Sequence, residues 1–266
     1  MRSVDNSKDR IGFCGSRHDV RILVTFQSHS QQDFPFRIFC DNVNTMQDPV
    51  THWNALHGNP RFRPVYPSED VVRFLLALRA QLPQQARYRF LDIGSGAGRH
   101  MRLASELGFS VVGVDISFTG LSHARERLQR MNSPHSIALA SMTRLPFADA
   151  SFDAVLSYGS FYYGSAEEMS QAIAETHRVL VAGGKSLVVL RSTDDYRYGK
   201  GAQLGPNTFL LDISETNELG TIQHFLTAED IPQYFAGFSQ VSFEKTDWTL
   251  GGRTRLNSDW LITAEK

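Results

Sequence analysis

The stretch that decides the fold runs Arg89-Phe90-Leu91-Asp92-Ile93-Gly94-Ser95-Gly96-Ala97-Gly98-Arg99 and continues to Val111-Val112-Gly113-Val114-Asp115. A short apolar run ends at three glycines, a segment compatible with a helix follows, and a second apolar run ends at an acid. This order of strand, glycine turn, helix, strand and acid is typical of half of a nucleotide-binding α/β unit. Glycine suits the turn because it accepts backbone angles that other residues resist and lets a ligand lie directly on the backbone.

The spacing of the glycines indicates which nucleotide ligand is bound. Dinucleotide folds prefer G-x-G-x-x-G, whereas this turn reads G-x-G-x-G with Asp92 two residues before Gly94. An acid at this place repels a phosphate and suits an ammonium group. Asp115 follows about 20 residues after the first glycine, and its carboxylate can accept the hydroxyl hydrogens of a ribose. The residues therefore predict an adenosine that carries a cation, which S-adenosylmethionine satisfies; the alternative is a strand–turn–helix that binds nothing.

These residues resemble a known family. Leu91–Gly98 is similar to the first motif of class I S-adenosylmethionine-dependent methyltransferases of the small-molecule, type 11-like kind, and Asp115 matches the acid of their second motif. Leu145–Val155 resembles the stretch that enters their fourth strand, and Arg178–Lys185 resembles the turn before their fifth. The resemblance implies an α/β Rossmann-like three-layer sandwich with a seven-stranded, mostly parallel sheet and an antiparallel C-terminal hairpin. It also implies transfer of a sulfonium methyl group without a metal ion.

The strand ends and the resemblance together predict the residues at the cofactor. They are Tyr66, Asp92, Gly94, Ser95, Gly96, Gly98, Asp115, Ile116, Ser141, Met142 and Ser157. Many family members end the third strand with an acid that binds the adenine amino group, but here Ser141 and Met142 stand at that place. Ser141 can contact the adenine and Met142 can pack on its face, with packing in the core as the alternative. Tyr66 or Arg63 is the candidate for binding the methionine carboxylate.

Two further segments predict the acceptor site. Residues 157–164, after the predicted fourth strand, contain three tyrosines and two glycines, which suggests either a pocket wall or ordinary core packing. Residues 191–201 alternate cations with aromatic rings, which suggests a loop that binds an anion, unless its charges pair with Asp194 and Asp195. The predicted substrate residues are Tyr162, Arg191, Arg197 and Lys200. The predicted catalytic residues are Tyr158 and His224, with His52 and His57 as further candidates for a general base.

The chain divides into two regions with different sequence patterns. Residues 1–45 show no sustained period and are predicted to be a poorly ordered N-terminal extension; in the alternative, Arg21–Phe26 and Phe36–Phe39 pair as strands with the domain. Residues 46–266 are predicted to form the methyltransferase domain, with an insert at 192–226. A helix at 227–236 and strands at 238–246 and 257–264 are expected to follow the insert.

Composition narrows the classes of partner and compartment. The 266 residues carry a net charge of −1, which indicates no general attraction to nucleic acid. Two cysteines exclude a disulfide framework, and neither a membrane span nor a secretory leader is visible, so a cytoplasmic protein is expected. The sequence favours methylation of an oxygen on a small-molecule acceptor, with anionic acceptors among the candidates. The alternatives are methylation of protein or RNA, or an inactive S-adenosylmethionine-binding module, and the oligomeric state stays open.

Overall fold

The computed structural model describes residues 22–23, 48–81 and 88–266. The predicted N-terminal extension therefore lies outside the described residues, except for β1 (Ile22–Leu23). This strand pairs in parallel with the strand that contains Ile137. This pairing involves part of the segment Arg21–Phe26. Phe36–Phe39 lies outside the described residues.

One large sheet forms the centre of the domain. Its strands besides β1 are β2 (Arg89–Ile93), β3 (Ser110–Asp115), β4 (His135–Leu139), β5 (Phe152–Tyr158), β6 (Leu180–Arg191), β10 (Gln240–Leu250) and β11 (Arg255–Glu265). Their spatial order is β1-β4-β3-β2-β5-β6-β11-β10. The strands from β1 to β6 are parallel, whereas β11 runs antiparallel to both β6 and β10. The predicted seven strands with a C-terminal hairpin are confirmed, and β1 adds a short strand at the edge.

Helices cover both faces of this sheet. They are α1 (Pro49–Gly58), α2 (Glu69–Gln81), α3 (Arg99–Glu106), α4 (Phe118–Gln129), α5 (Ala166–Val179) and α6 (Ile231–Tyr234), with a 3-10 turn at Pro60–Phe62. Successive side chains of a strand point to opposite faces, so Phe90 packs with α2, α3 and α4 while Leu91 packs with α5 and α6. The result is the three-layer arrangement that the resemblance implies. Among the described residues, no helix combines the length and the apolar character that crossing a bilayer needs.

The insert is an ordered structure that the sequence pattern did not indicate. Strands β7 (Gly201–Gly205), β8 (Thr208–Leu211) and β9 (Ile222–His224) form a separate antiparallel sheet. A small apolar cluster that includes Phe209 and Phe225 packs beneath it. The insert therefore places its own side chains at defined positions beside the end of β6.

The predicted extent of the helix after the insert was wrong. The helix predicted at 227–236 is only the four residues of α6, because the hydroxyl and backbone N–H of Thr227 both donate to Asp230 and close a loop before Pro232 enters the first turn. Strand β6 begins at Leu180, and Gly183 accommodates an irregularity near its start with a φ of 72°.

Candidate active site

A cavity of about 810 Å³ lies at the carboxyl ends of the parallel strands. Its walls come from the loop after β2, the ends of β3, β4 and β5, helix α1, and the insert at Gly220–Ile222. Ligands of open α/β sheets bind at this edge. The volume falls within the range that small-molecule sites occupy, roughly 300–1,000 Å³.

The glycine turn after β2 forms one end of the cavity. Gly94 has a φ of 74°, and a Cβ built on it would lie 2.4 Å from the Cβ of Ser160. Gly96 has a φ of 49°, and a Cβ there would lie 3.1 Å from Nε2 of His57. Side chains at these two positions would be strained and would fill the space beside the backbone. The glycines therefore let the turn pack closely on Ser160 and His57, and the turn, here called the cradle, lines the cavity through Gly94, Ser95 and Gly96.

Asp115 lies at the tip of β3 beside this cradle. Its Oδ2 accepts a hydrogen bond from the backbone N–H of Gly96 at 2.8 Å, and its Oδ1 accepts one from Ser117 at 2.7 Å. Burial raises the pKa of Asp115, while nearby His57 and the two N–H donors oppose that shift. Each carboxylate oxygen has a second lone pair, and the residue lines the cavity. The carboxylate is therefore held in place with acceptor capacity left for two hydroxyl groups.

Helix α1 is held against this end of the cavity by a hydrogen-bonded contact. Oδ1 of Asn54 accepts from the hydroxyl of Ser117 at 3.1 Å and from the backbone N–H of Thr119 at 3.0 Å, which joins α1 to the start of α4. The same helix brings His52, Trp53 and His57 to the cavity wall. Burial lowers the pKa of both histidines, so each is neutral at pH 7.

Most of the predicted cofactor residues meet at this end of the cavity. Those that line it are Gly94, Ser95, Gly96, Asp115, Ile116, Ser141 and Met142. Arg99, which the sequence analysis did not single out, also lines it, and its guanidinium lies 5.5 Å from the centre of the Tyr158 ring. The signal available in the sequence was its place directly after the last glycine of the motif.

Four predicted cofactor residues do not line the cavity. Tyr66 is 80% exposed, and its backbone carbonyl accepts a hydrogen bond from Arg99. Asp92 is buried with Oδ2 unpartnered among the described residues, and burial, partly opposed by Arg99, raises its pKa to about 7. Gly98 packs on Ala124, and the hydroxyl of Ser157 pairs with that of Ser160 at 2.8 Å. These residues support the glycine turn from outside the cavity.

Aromatic side chains form another part of the cavity wall. Tyr158, predicted to be catalytic, lines it, and so do Trp53 and Tyr163, whose ring centroids lie 4.8 Å apart at an interplanar angle of 79°. Glu168 also lines the cavity, and one of its carboxylate oxygens accepts a hydrogen bond from the backbone N–H of Ser165 at 2.8 Å. Trp53 and Glu168 were missed, because only the fold brings α1 and α5 to the end of β5.

His224 does not line the cavity, contrary to its predicted role as a catalytic base. Its Nδ1 lies 2.8 Å from the hydroxyl of Thr208, and its Nε2 lies 2.9 Å from the hydroxyl of Tyr234. Both ring nitrogens are therefore engaged in joining the insert to α6. The placement supports a role in holding the insert.

The predicted anion-binding residues also lie away from the cavity. Nη1 of Arg191 donates to Glu218 at 2.9 Å, and Nη2 donates to the Tyr162 hydroxyl at 3.0 Å. Arg197 binds the same Glu218 and donates to Asp195 at 3.0 Å. The alternative in which the charges of this loop pair within the protein is therefore what the structure shows for Arg191 and Arg197.

Tyr162 and Lys200 complete that correction. Tyr162 is buried beneath the guanidinium of Arg191, which lies 4.2 Å from the ring centre, and burial raises its pKa to about 12. Lys200 is exposed on the surface of the insert and does not line the cavity.

The residues at the cradle fit S-adenosylmethionine. The glycine turn lines the cavity through Gly94, Ser95 and Gly96, and Asp115 presents a fixed carboxylate for a ribose. Arg99 supplies a cation for the methionine carboxylate, and Met142 supplies a polarizable surface for an adenine.

Comparison with known proteins agrees with this geometry. Residues 91–188 match the family described as a methyltransferase domain. An uncharacterized methyltransferase of Mycobacterium tuberculosis is 34% identical over 153 residues, which make up 57% of this chain and 56% of that protein. The chain thus spans about half the length of the curated relatives it matches.

Solved structures share the fold. A SAM-dependent methyltransferase from Methanosarcina mazei superposes with a TM-score of 0.59 at 22% identity, over 71% of this chain and 96% of the other. The 1,6-didemethyltoxoflavin-N1-methyltransferase of Burkholderia thailandensis, solved with its acceptor and S-adenosylhomocysteine, gives 0.55 at 15% identity, over 84% and 93%. Residues 91–188 are therefore similar to the methyltransferase-domain family, and the chain shares the fold of these solved structures.

Proposed function

We propose that this protein transfers a methyl group from S-adenosylmethionine to a small molecule bound in the same cavity, with an oxygen as the favoured acceptor atom. One observation carries the proposal: a single cavity is lined both by the glycine cradle and Asp115 and by the aromatic side chains of Trp53 and Tyr163. A cofactor and a compact acceptor can therefore share one volume.

The cofactor half of the proposal assigns a role to each group at the cradle. Asp115 would bind the ribose hydroxyls, Arg99 the carboxylate, and Ile116, Ser141 and Met142 the adenine. When bound, S-adenosylmethionine supplies a methyl group on a positively charged sulfur. The protein then has to align the acceptor and remove its proton where it has one.

Proton removal is proposed for a histidine of α1. His52 lines the cavity and lies beside Trp53, with ring centroids 5.4 Å apart. Burial lowers its pKa, so at pH 7 the ring is neutral and able to accept a proton from a hydroxyl group. Tyr158 is also at the cavity, but burial raises its pKa, which suits it to donate a hydrogen bond.

The acceptor is proposed to be small and uncharged. The expectation of an anionic acceptor came from residues 191–201. However, Arg191 and Arg197 of this segment form ion pairs with Glu218 and Asp195 and are not available for an anion. Among the described residues that line the cavity, the only lysine or arginine is Arg99, which directly follows the glycine turn.

A labelled-methyl assay tests the proposal. Purified protein, labelled S-adenosylmethionine and a cell lysate separated into metabolites, protein and RNA are incubated, and the label in each fraction is counted. We expect label in the metabolite fraction, and loss of most of it with Asp115→Asn. Label in protein or RNA alone would contradict a small acceptor, and cofactor binding without transfer to any fraction would indicate an inactive module.

A further inference from the structure

A part-buried hydrogen bond joins the insert to Tyr163 in the cavity wall. The hydroxyl of Tyr163 donates to Oε1 of Glu218 at 2.9 Å. Tyr163 lines the cavity, whereas Glu218 belongs to the insert and is buried. The position of this tyrosine ring therefore depends on a residue that lies 55 positions further along the chain.

Glu218 is held as an ionised acceptor. Burial by itself would raise its pKa, but Arg191 and Arg197 outweigh that effect and lower the pKa to about 2. The Arg191 guanidinium contacts Oε1, and Arg197 contacts Oε2. With both oxygens bound to cations, the carboxylate cannot turn away from Tyr163, and the tyrosine hydroxyl must donate to it.

The backbone of Tyr163 is tied to the residue before the glycine turn. Its N–H donates to the carbonyl of Ser160 at 3.0 Å, and the Ser160 hydroxyl donates to the carbonyl of Ile93 at 3.0 Å, directly before the glycine turn. The ring is therefore fixed by the cofactor cradle at its backbone and by the insert at its hydroxyl.

We propose that Glu218 is a positioning residue that holds Tyr163 edge-on to Trp53, and that the resulting wall selects a flat aromatic ring as the methyl acceptor. This inference rests on the proposed function and names its acceptor class, a phenol or a related hydroxylated ring. Aromatic rings pack best on other rings in edge-to-face or offset geometry. A wall ring that is already fixed loses little freedom when the acceptor binds.

The chain offers a matched pair of variants. Tyr163→Phe keeps the ring but removes the hydroxyl that binds Glu218. Tyr162→Phe removes the neighbouring buried hydroxyl, which binds Arg191 of the same network but does not line the cavity. Each variant loses one hydrogen bond to the same network of Glu218 and Arg191. A difference in ligand binding between the two variants therefore reports on the cavity wall and not on a general loss of stability.

Binding of phenol, indole and cyclohexanol is measured by saturation-transfer NMR with S-adenosylhomocysteine at saturation. We expect the wild-type protein to bind the two aromatic probes about tenfold more tightly than cyclohexanol. Tyr163→Phe should remove most of that preference, as should Glu218→Gln, whereas Tyr162→Phe should keep it within about twofold. Equal binding of phenol and cyclohexanol by the wild type, or equal losses in the two tyrosine variants, would overturn the inference.

Calorimetry with S-adenosylhomocysteine on the same samples separates this result from a failure of the proposed function. Unchanged affinity for S-adenosylhomocysteine in Tyr163→Phe, together with a lost preference for rings, supports a positioning role. If the wild type binds S-adenosylhomocysteine but shows no preference for rings, only the acceptor class is wrong. If it does not bind S-adenosylhomocysteine, the proposed function itself is wrong.

Discussion

Replacement of Asp115 by asparagine tests the cofactor site most directly. Each carboxylate oxygen accepts one backbone hydrogen bond, from Gly96 at 2.8 Å and from Ser117 at 2.7 Å. Asparagine has one accepting oxygen and one donating nitrogen. One of the two N–H groups would therefore face a donor and lose its partner.

The expected magnitudes follow from these contacts. A buried N–H without an acceptor costs about 1–3 kcal/mol, so the free energy of unfolding should fall by that amount. Loss of an ionised acceptor for a ribose hydroxyl costs about 1.5–3 kcal/mol of binding. Affinity for S-adenosylhomocysteine should then fall by roughly 10- to 150-fold.

Isothermal calorimetry at pH 8 with S-adenosylhomocysteine measures the affinity, and urea denaturation measures the stability. Asp153→Asn is the matched control, because Oδ2 of Asp153 also accepts a backbone N–H, that of Arg89 at 2.7 Å, but at the opposite edge of the sheet. The control should keep its affinity for S-adenosylhomocysteine. Wild-type affinity in Asp115→Asn, or an equal loss in Asp153→Asn, would refute the assignment of Asp115 to the ribose.

Three further results are expected. Gly94→Ala should lower the free energy of unfolding, measured in urea, by more than Gly108→Ala does. Both residues have a positive φ, which costs an alanine about 1–2 kcal/mol, but only the alanine at position 94 would also clash with Ser160. Equal losses in the two variants would contradict the close approach of Gly94 and Ser160. Asp92 has its pKa raised to about 7 from 3.8, so its ionisation destabilises the fold as pH rises through this interval. The wild-type protein should therefore lose stability between about pH 4 and pH 7, and Asp92→Asn should not. The same pH profile of stability in both proteins would contradict this role of Asp92. Glu218 has its pKa lowered to about 2 from 4.5, so its stabilising contribution is present above pH 4.5 and is lost as pH falls toward 2. In Glu218→Gln, acid unfolding followed by circular dichroism should no longer show this loss of stability between pH 4.5 and pH 2. If the loss persists in the variant, another group causes it.

The cofactor end of the site was largely predictable from the sequence. Gly94, Gly96 and Asp115 lie within one strand–turn–helix–strand unit, and their roles depend on backbone angles and spacing that neighbouring residues set. The exceptions, such as Tyr66, come from the segment before that unit, where the direction of a side chain depends on what the fold places beside it.

The acceptor end was not predictable in the same way. Arg191 and Arg197 looked available for an anion because their partner Glu218 lies 27 and 21 residues away, in an insert whose strands showed no period. Trp53 lies on a helix before the domain's first motif, and nothing in its neighbourhood indicates that it meets Tyr163.

The order of apolar runs, glycines and acids by itself determined the layered fold and the position of the cofactor cradle, because those features depend on local backbone geometry and on burial that repeats along the chain. Only the tertiary structure decided which charges neutralise one another and which rings line the cavity. Ion pairs and ring contacts form between residues that are distant in the chain, and they depend on the three-dimensional packing of the insert and α1 against the sheet.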